Sequence, residues 1–297
     1  MVYYHTNTLK QYAKMEQKGM VAIEEISFRY KRKGNGIFNN FSLNLQEGQI
    51  YGLLGRNGSG KSTLLYLISG LLHTKSGKIL FKGSDVSRRE PAMLSDVFIV
   101  PEEFELPKVS LIEYIKLYSR FYPNFSFEIL DRCLNDFGMN RDINLGELSM
   151  GEKKKAFMCF ALATNTSLLL MDEPSNGFDI PSKSQMQKVI AGGMSENRTI
   201  IISTHQVKDI ENLLDRIVII DNGNLLLDKC CSEISEKLLF TNQPAGEPTD
   251  GAIYTQSTLM GNSIIYPNAY GEESPLNLEM LFNAVLTERE KMQEVLK

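Results

Sequence analysis

The segment that most constrains the fold is a glycine-rich turn between a short apolar run and a stretch with helical spacing. The turn fits the pattern G-x-x-x-x-G-K-[ST] and reads Gly55-Arg56-Asn57-Gly58-Ser59-Gly60-Lys61-Ser62-Thr63. Residues 49–54 before it are typical of a strand, and the leucines of residues 61–72 recur at the spacing of a helix. In such a strand-turn-helix unit, backbone N–H groups converge on a phosphate at the positive end of the helix dipole. The sequence therefore predicts that this turn binds nucleotide phosphates, in preference to the alternative of a plain surface turn.

A second apolar run, residues 168–171, ends in the acidic pair Asp172-Glu173. Open α/β sheets bind their ligands at the carboxyl ends of strands, so we expect this pair to face the turn. Lys61 is then expected to neutralise the β and γ oxygens, and Ser62 and Asp172 to hold Mg²⁺. Glu173 is expected to orient or deprotonate the attacking water. An apolar run that ends in Asp-Glu is by itself an ordinary strand end, and only its combination with the turn predicts chemistry.

The remaining pattern predicts an α/β fold. Residues 21–30 and 41–45 alternate as in an antiparallel β-layer. Residues 107–148 are mostly helical in pattern, with helix starts at Ser110 and Ser126. Strands and helices then alternate, which predicts a parallel sheet with crossover helices. The expected helices are 152–164, 182–195 and 206–214, and the expected strands are 167–172, 199–203 and 216–220. The fold class is thus a P-loop NTPase core with a mixed or parallel sheet, an antiparallel β-layer, an inserted helical subdomain and a small C-terminal extension.

These patterns divide the chain into three parts. Residues 1–20 are a polar N-terminal extension, residues 21–232 the main domain with its helical subdomain at about 107–148, and residues 233–297 a C-terminal extension. Within the extension we expect a linker over residues 242–251, a small hairpin over residues 252–265 and a terminal helix from Leu276.

Charge and cysteine content narrow the function. The chain has 32 basic and 36 acidic residues, and a formal charge of −4 argues against a nucleic-acid partner. Its four cysteines lack metal-ligand spacing and are expected to be reduced thiols; they are Cys133, Cys159, Cys230 and Cys231. No apolar stretch approaches the roughly 18 residues that a membrane helix needs, and the N-terminus lacks the apolar core of a secretory signal. We therefore expect a cytoplasmic protein.

A GTPase, a kinase or a motor ATPase could all carry such a core, and the segment Leu148-Ser149-Met150-Gly151-Glu152 decides between them. It resembles the LSGGQ signature of the ABC ATPases and lies, as in that family, after a helical insertion and shortly before the acidic strand. Ser149 and Glu152 also fit a capping box that opens a helix, which is the structural interpretation and is compatible with the functional one. The resemblance covers residues 21–231. It implies that Ser149 and Gly151 meet the γ-phosphate held by an opposite subunit.

The resemblance implies roles for four further residues. Tyr30 stands about where an aromatic residue of the family stacks on adenine, although a strand tyrosine is otherwise a packing residue. Asp179 ends a segment that looks like the D-loop, which contacts the nucleotide site across the dimer. His205 follows the strand 199–203 and resembles the switch histidine that contacts the γ-phosphate. Glu102 stands where the Q-loop glutamine approaches Mg²⁺ and the attacking water.

Three positions depart from the family pattern. Glu102 can ligate a metal and accept hydrogen bonds, but it cannot donate one as glutamine does. Met150 replaces the first glycine of the signature, and its side chain restricts the approach of a phosphate. Glu152 replaces the glutamine of the signature. Ser149 and Gly151 are kept, so close approach of a phosphate is still expected.

The resemblance implies an ATP-binding and ATP-hydrolysing subunit of an ABC transporter that uses Mg²⁺ and dimerises on ATP. Its implied partners are a second ATPase subunit, as a homodimer or heterodimer, and integral membrane permease subunits that hold it on the inner face of the cell membrane. Residues 121–126, 153–155 and 276–282 look most similar to bacterial ABC-2-type exporter ATPases, so export is the expected direction. The lysines at 153–155 are otherwise interpreted as a solvated helix face.

Two alternatives stay open at the level of sequence. The first is a soluble ABC ATPase outside transport, but such proteins carry two ATPase domains or a long coiled coil, and neither pattern is present. The second is a regulatory subunit that binds ATP with little turnover. Glu173 argues against it, whereas Glu102 and the altered signature keep it open.

Overall fold

The structure, a computed structural model, describes residues 19–31, 36–259 and 261–297. Its strands are, in chain order, β1 (Val21–Phe28), β2 (Phe38–Leu45), β3 (Ile50–Leu54), β4 (Ser76–Phe81), β5 (Ser84–Asp85), β6 (Val97–Val100), β7 (Leu168–Asp172), β8 (Thr199–Thr204), β9 (Arg216–Asp221), β10 (Asn224–Cys230), β11 (Leu238–Gln243), β12 (Tyr254–Thr258) and β13 (Gly261–Pro267). Its α-helices are α1 (Lys61–Ile68), α2 (Pro91–Leu94), α3 (Leu111–Tyr118), α4 (Phe127–Asp136), α5 (Met150–Ala163), α6 (Ile180–Gly192), α7 (Cys231–Lys237), α8 (Leu278–Thr287) and α9 (Arg289–Leu296). Of the expected N-terminal extension, residues 1–18 lie outside the described part.

A six-stranded sheet in the order β10-β9-β3-β8-β7-β6 forms the centre of the main domain. The strands from β9 to β6 pair in parallel, and β10 joins antiparallel to β9. Every residue of β3 and β7 is buried because both faces of this sheet are covered. The carboxyl ends of β3, β8 and β7 therefore lie side by side at one edge, and the predicted mixed sheet is confirmed.

A four-stranded antiparallel sheet in the order β2-β1-β4-β5 confirms the predicted β-layer. Its buried side chains share a core with α1 and one face of the central sheet. The pairing of β1 with β2 stops at Phe28 opposite Phe38, so β1 ends two residues earlier than expected. Tyr30 consequently stands beyond the sheet, with 60% of its surface exposed.

The helical segment inserted between β6 and α5 contains α3, α4 and the 3-10 turn Ser119–Phe121. Ser110 caps α3 in a capping box, and Ser126 caps α4, both as predicted. Three aromatic residues of this segment, together with Phe98 of β6, pack around Phe160 of α5: Tyr114, Tyr122 and Phe125. A second group of aromatic residues in the segment is exposed: Tyr118, Phe121 and Phe127.

The prediction of a continuous helix over residues 206–214 is wrong. The segment forms two 3-10 turns, Val207–Asp209 and Glu211–Leu213, and no side chain caps either of them. Ile210, with φ of −130°, separates them. The buried Val207 and Ile210 are three residues apart, a spacing that suits a 3-10 turn as well as an α-helix.

The C-terminal segment is more regular than its sequence suggests. The expected hairpin is formed by β12 and β13, and β11 pairs with the other side of β13 to complete a three-stranded sheet. The expected terminal helix is two helices, α8 and α9, which are separated at Glu288.

Two other observations concern the whole described part of the chain. None of its helices combines the length and the apolar character that crossing a membrane would require. The four cysteines are unpaired; Cys133 and Cys159 are buried, and Cys230 and Cys231 are half-buried.

Candidate active site

The glycine-rich turn joins β3 to α1, and left-handed backbone conformations give it its shape. Gly58 and Gly60 have φ angles of 77° and 107°, which residues with a side chain rarely adopt. A Cβ at Gly60 would lie 2.9 Å from the Phe38 ring, so the β-layer packs directly against the turn. A Cβ at Gly58 would have no neighbour within 4 Å. The turn therefore leaves open space beside its backbone at the start of α1.

Lys61, the first residue of α1, is only 6% exposed. Its Nζ donates a hydrogen bond to the carbonyl of Gly55 at 2.9 Å and lies 3.8 Å from Oε1 of Glu173. Burial lowers the pKa of Lys61, and the charges of Glu173 and Asp172 oppose that shift. Because a buried ammonium group gains strongly from an anionic partner, Lys61 is well placed to pair with phosphate oxygens.

Asp172 ends β7 and is almost completely buried. Its Oδ1 accepts a hydrogen bond from the hydroxyl of Ser203 on the neighbouring strand, and the hydroxyl of Ser62 also bonds to the carboxylate. Burial raises the pKa of Asp172, while these two hydrogen bonds act in the opposite direction. A carboxylate that loses its hydration in this way gains from a cation beside it.

Glu173 has a left-handed φ of 46°, which costs free energy in a residue with a side chain. Its backbone N–H donates to the Ser203 carbonyl at 3.0 Å, and its carboxylate accepts a hydrogen bond from the Thr204 hydroxyl at 3.0 Å. Nδ1 of His205 lies 2.8 Å from Oε1 of Glu173. The ends of β7 and β8 therefore place the acidic residue and the histidine in direct contact.

Lys61, Glu173 and His205 line one cavity of about 450 Å³. Its lining comprises Tyr30, Ile37, Asn57, Gly58, Gly60, Lys61, Ser62, Thr63, Glu102, Glu173 and His205. At its rim, the hydroxyl of Tyr30 is 3.1 Å from Oγ1 of Thr63, and the ring stands edge-on to Phe28 with centroids 5.0 Å apart. Sequence positions that are far apart, from Tyr30 to His205, thus meet at one site.

The site residues of the signature and the D-loop do not line this cavity. Ser149 and Glu152 form the predicted capping box at the start of α5, and Met150 beside them is 58% exposed. Asp179 caps α6 by accepting a hydrogen bond from the N–H of Ser182 at 2.9 Å, and hydrogen bonds from the hydroxyl and the N–H of Ser182 lower the pKa of Asp179. Within the described residues, Ser149, Gly151 and Asp179 form no hydrogen bond with the phosphate turn of their own chain.

Sequence reasoning missed two residues beside the site. Asn176 donates a hydrogen bond from Nδ2 to Oε1 of Glu102 at 2.8 Å, and Lys154 donates to the Asn176 carbonyl at 2.8 Å. Lys154 is 8% exposed, so the interpretation of residues 153–155 as a solvated face is wrong for it. Burial lowers the pKa of Lys154. No sequence pattern indicated this burial, because the lysines of a basic run are usually solvated.

The residues of the cavity fit Mg²⁺ and a nucleotide. Ser62, Asp172 and Glu102 supply the oxygen atoms that Mg²⁺ prefers. No cluster of three or more His, Cys, Asp or Glu side chains within the described ranges could hold a metal alone. Mg²⁺ requires no such cluster, because it usually takes one or two carboxylates together with phosphate oxygens.

Comparisons with known proteins point to one family. Residues 38–176 match the family model described as ABC transporter. The chain is 32% identical over 228 residues to the lantibiotic transport ATP-binding protein SrtF of Streptococcus pyogenes, which covers 75% of this chain and 97% of that protein. It is 29% identical over 208 residues to the ABC transporter ATP-binding protein YtrB of Bacillus subtilis (strain 168), covering 69% of this chain and 71% of that protein.

Solved structures show the same fold. An ATP binding subunit of an ABC transporter superimposes with a TM-score of 0.65 at 22% identity, covering 72% of this chain and 91% of that one. The cbiO1 protein from Clostridium perfringens superimposes with a TM-score of 0.61 at 23% identity, covering 74% and 91%. With the P-loop, the acidic strand end and the signature in place, the chain belongs to the ABC transporter family, among its ATP-binding proteins.

Proposed function

We propose that this ATP-binding subunit hydrolyses ATP, dimerises on ATP and powers export through separate permease subunits at the inner face of the cell membrane. The observation that carries the proposal is the convergence of Lys61, Glu173 and His205 on one cavity, with the buried Asp172 next to Glu173 at the end of β7. Export is supported by the names of relatives, which include lantibiotic transport and Nod factor export proteins.

The chain's own residues divide the work of hydrolysis. Ser62, Asp172 and Glu102 would hold Mg²⁺, which when bound neutralises charge on the phosphate oxygens. When ATP binds, the ammonium group of Lys61 would leave the carbonyl of Gly55 and pair with the β and γ phosphate oxygens. Glu173 orients or deprotonates the attacking water, and its contact with His205 holds the carboxylate in place.

The second half of each site comes from another ATPase subunit. Ser149 and Gly151 lie at the start of a 14-residue helix, whose first N–H groups and dipole favour an anion. Asp179 contributes to the same interface from the start of α6. ATP would join the two subunits until hydrolysis removes the γ-phosphate. The shift from the closed dimer to the open dimer would then drive the permease.

The helical subdomain is the expected docking surface for the permease. Its exposed apolar side chains are Leu117, Tyr118, Phe121 and Phe127. Exposed apolar surface of this kind is typical of protein–protein contact.

Substitution of Gly151 with alanine tests the shared site. A Cβ at this position would lie 3.8 Å from its nearest neighbour, the carbonyl of Gly177, so the fold should accept alanine without loss of stability. At a site where a phosphate approaches the backbone, the methyl group should lower the rate of ATP hydrolysis about tenfold or more. Phosphate release and the thermal midpoint are measured together. A Gly151→Ala variant with the wild-type rate would contradict the shared site.

Tyr30 offers a test of adenine binding. Removal of the ring in Tyr30→Ala should weaken ATP binding about tenfold, because stacking of a base on an aromatic ring contributes about 1–3 kcal/mol. The matched variant Tyr30→Phe loses only the hydrogen bond to Thr63 and should stay within about threefold of the wild type. Titration with a fluorescent ATP analogue measures both. Equal affinity of Tyr30→Ala and wild type would show that Tyr30 is a packing residue.

A further inference from the structure

Four side chains from separate segments form a continuous row of hydrogen bonds that ends at Glu102 in the cavity lining. Lys183 on α6 donates from Nζ to Oε1 of Gln206 at 2.9 Å. Gln206 donates from Nε2 to Oδ1 of Asn176 at 3.0 Å, and Asn176 donates from Nδ2 to Oε1 of Glu102 at 2.8 Å. Gln206 directly follows His205, and Asn176 lies three residues after Glu173. The row therefore connects three loops around the cavity.

The chemistry of the two ends fixes the direction of this row. The ammonium group of Lys183 can only donate hydrogen bonds, and the ionised carboxylate of Glu102 can only accept them. Each amide between them must then turn its oxygen toward Lys183 and its nitrogen toward Glu102. Asp209 supports the donor end, since its Oδ2 lies 2.8 Å from Nζ of Lys183. Two opposite charges at the ends thus determine both amide orientations.

We propose that Asn176 is a positioning residue, which holds the carboxylate of Glu102 beside the cavity and, through Gln206, couples it to the loop that carries His205. This inference rests on the proposed function. The backbone of Asn176 is itself fixed by the buried Lys154, which donates to its carbonyl at 2.8 Å. A glutamine at position 102 could satisfy its neighbours by donating or accepting, whereas a glutamate requires a donor. Asn176 supplies that donor, and so accommodates the departure of Glu102 from the family's glutamine.

An exchange of the two functional groups tests this pairing. In Asn176→Asp, a second carboxylate faces Glu102 and cannot donate to it, and Coulomb repulsion at this distance corresponds to about a fivefold effect. In the double variant Glu102→Gln with Asn176→Asp, the new amide can donate to the new carboxylate. The second oxygen of that new carboxylate still accepts from Gln206. The row is then complete again with the amide and the carboxylate exchanged.

The experiment measures kcat and KM for MgATP hydrolysis and the thermal midpoint without nucleotide. We expect Asn176→Asp to lower kcat about fivefold with KM changed less than about twofold, and to lower the thermal midpoint by about 2 °C. The kcat of the double variant should return to within about twofold of that of Glu102→Gln alone, because substitutions at residues in contact do not have additive effects. Asn140→Asp is the matched control, since the exposed Asn140 side chain accepts a hydrogen bond from Asp142 and retains that ability as aspartate.

Two results would overturn the inference. The first is an Asn176→Asp variant equal to the wild type in kcat and thermal midpoint. The second is a double variant whose losses in log kcat and in thermal midpoint equal the sums of the losses in the two single variants. A wild-type protein without ATP hydrolysis would instead refute the proposed function. The pairing of Asn176 with Glu102 is then decided by the thermal midpoints alone, in which the same recovery in the double variant is expected.

Discussion

Substitution of Glu173 with glutamine is expected to lower the rate of ATP hydrolysis at least about a hundredfold while ATP binding is preserved. Glutamine has the same shape and can still accept the hydrogen bond from Thr204, so the left-handed turn at this residue should survive. The amide cannot take a proton from water, and it carries no charge beside Lys61 and His205. Loss of that charge removes a repulsion of the γ-phosphate, so ATP affinity should be equal or higher.

Phosphate release and ATP titration separate these two effects. Glu196→Gln is the control. Glu196 is an exposed glutamate on the turn before β8, so this substitution makes the same chemical change away from the cavity. If turnover limits the lifetime of an ATP-bound dimer, light scattering should detect a dimer of Glu173→Gln that persists in MgATP. A variant that hydrolyses ATP at the wild-type rate would remove Glu173 from the mechanism.

The second large effect is structural. Arg198, which is 1% exposed, donates hydrogen bonds to the carbonyls of Leu162, Thr166 and Gly193 at 2.9, 3.0 and 2.8 Å. Leu162 lies in the last turn of α5 and Gly193 follows α6, so a cation here also meets the negative ends of two helix dipoles. Burial lowers the pKa of Arg198 to about 10. The guanidinium thus joins two helices and the start of β7.

Arg198→Met should lower the free energy of unfolding by about 3 kcal/mol or more. Methionine fills much of the volume but removes the donor from the carbonyls of Thr166 and Gly193, and each unpaired group costs about 1–3 kcal/mol. The Leu162 carbonyl also loses this donor but keeps a hydrogen bond from the N–H of Asn165 at 3.2 Å. Urea unfolding followed by circular dichroism measures the change. Arg120→Met, at an exposed arginine, is the control and should stay within about 0.5 kcal/mol of the wild type. A loss below about 1 kcal/mol for Arg198→Met would mean that water replaces the guanidinium.

Local sequence patterns predicted the parts of the fold that depend on neighbouring residues. The strand and helix around the glycine-rich turn, the burial of the run before Asp172 and the capping boxes at Ser110 and Ser149 were all evident from spacings of a few residues. Cap and turn chemistry act over such distances, so sequence reasoning finds them.

Elements that depend on distant partners were missed. β6 has only four residues, and β4 buries only part of its length. Neither strand therefore shows a recognisable alternation of apolar and polar residues. β11 is stabilised by pairing with β13, which lies beyond the linker. The same reason applies to the site, where the contact of Asn176 with Glu102 joins residues 74 positions apart. A single sequence gives the residue types at these positions but not their proximity.

The proposed ATPase is tested most directly by release of phosphate from MgATP by the purified chain, measured beside Glu173→Gln with and without the permease subunits. The account predicts Mg²⁺-dependent release by the wild type and, for Glu173→Gln, ATP binding with at least about a hundredfold slower release. Absence of release by the wild type even with its permease, or equal rates for the two proteins, would contradict it.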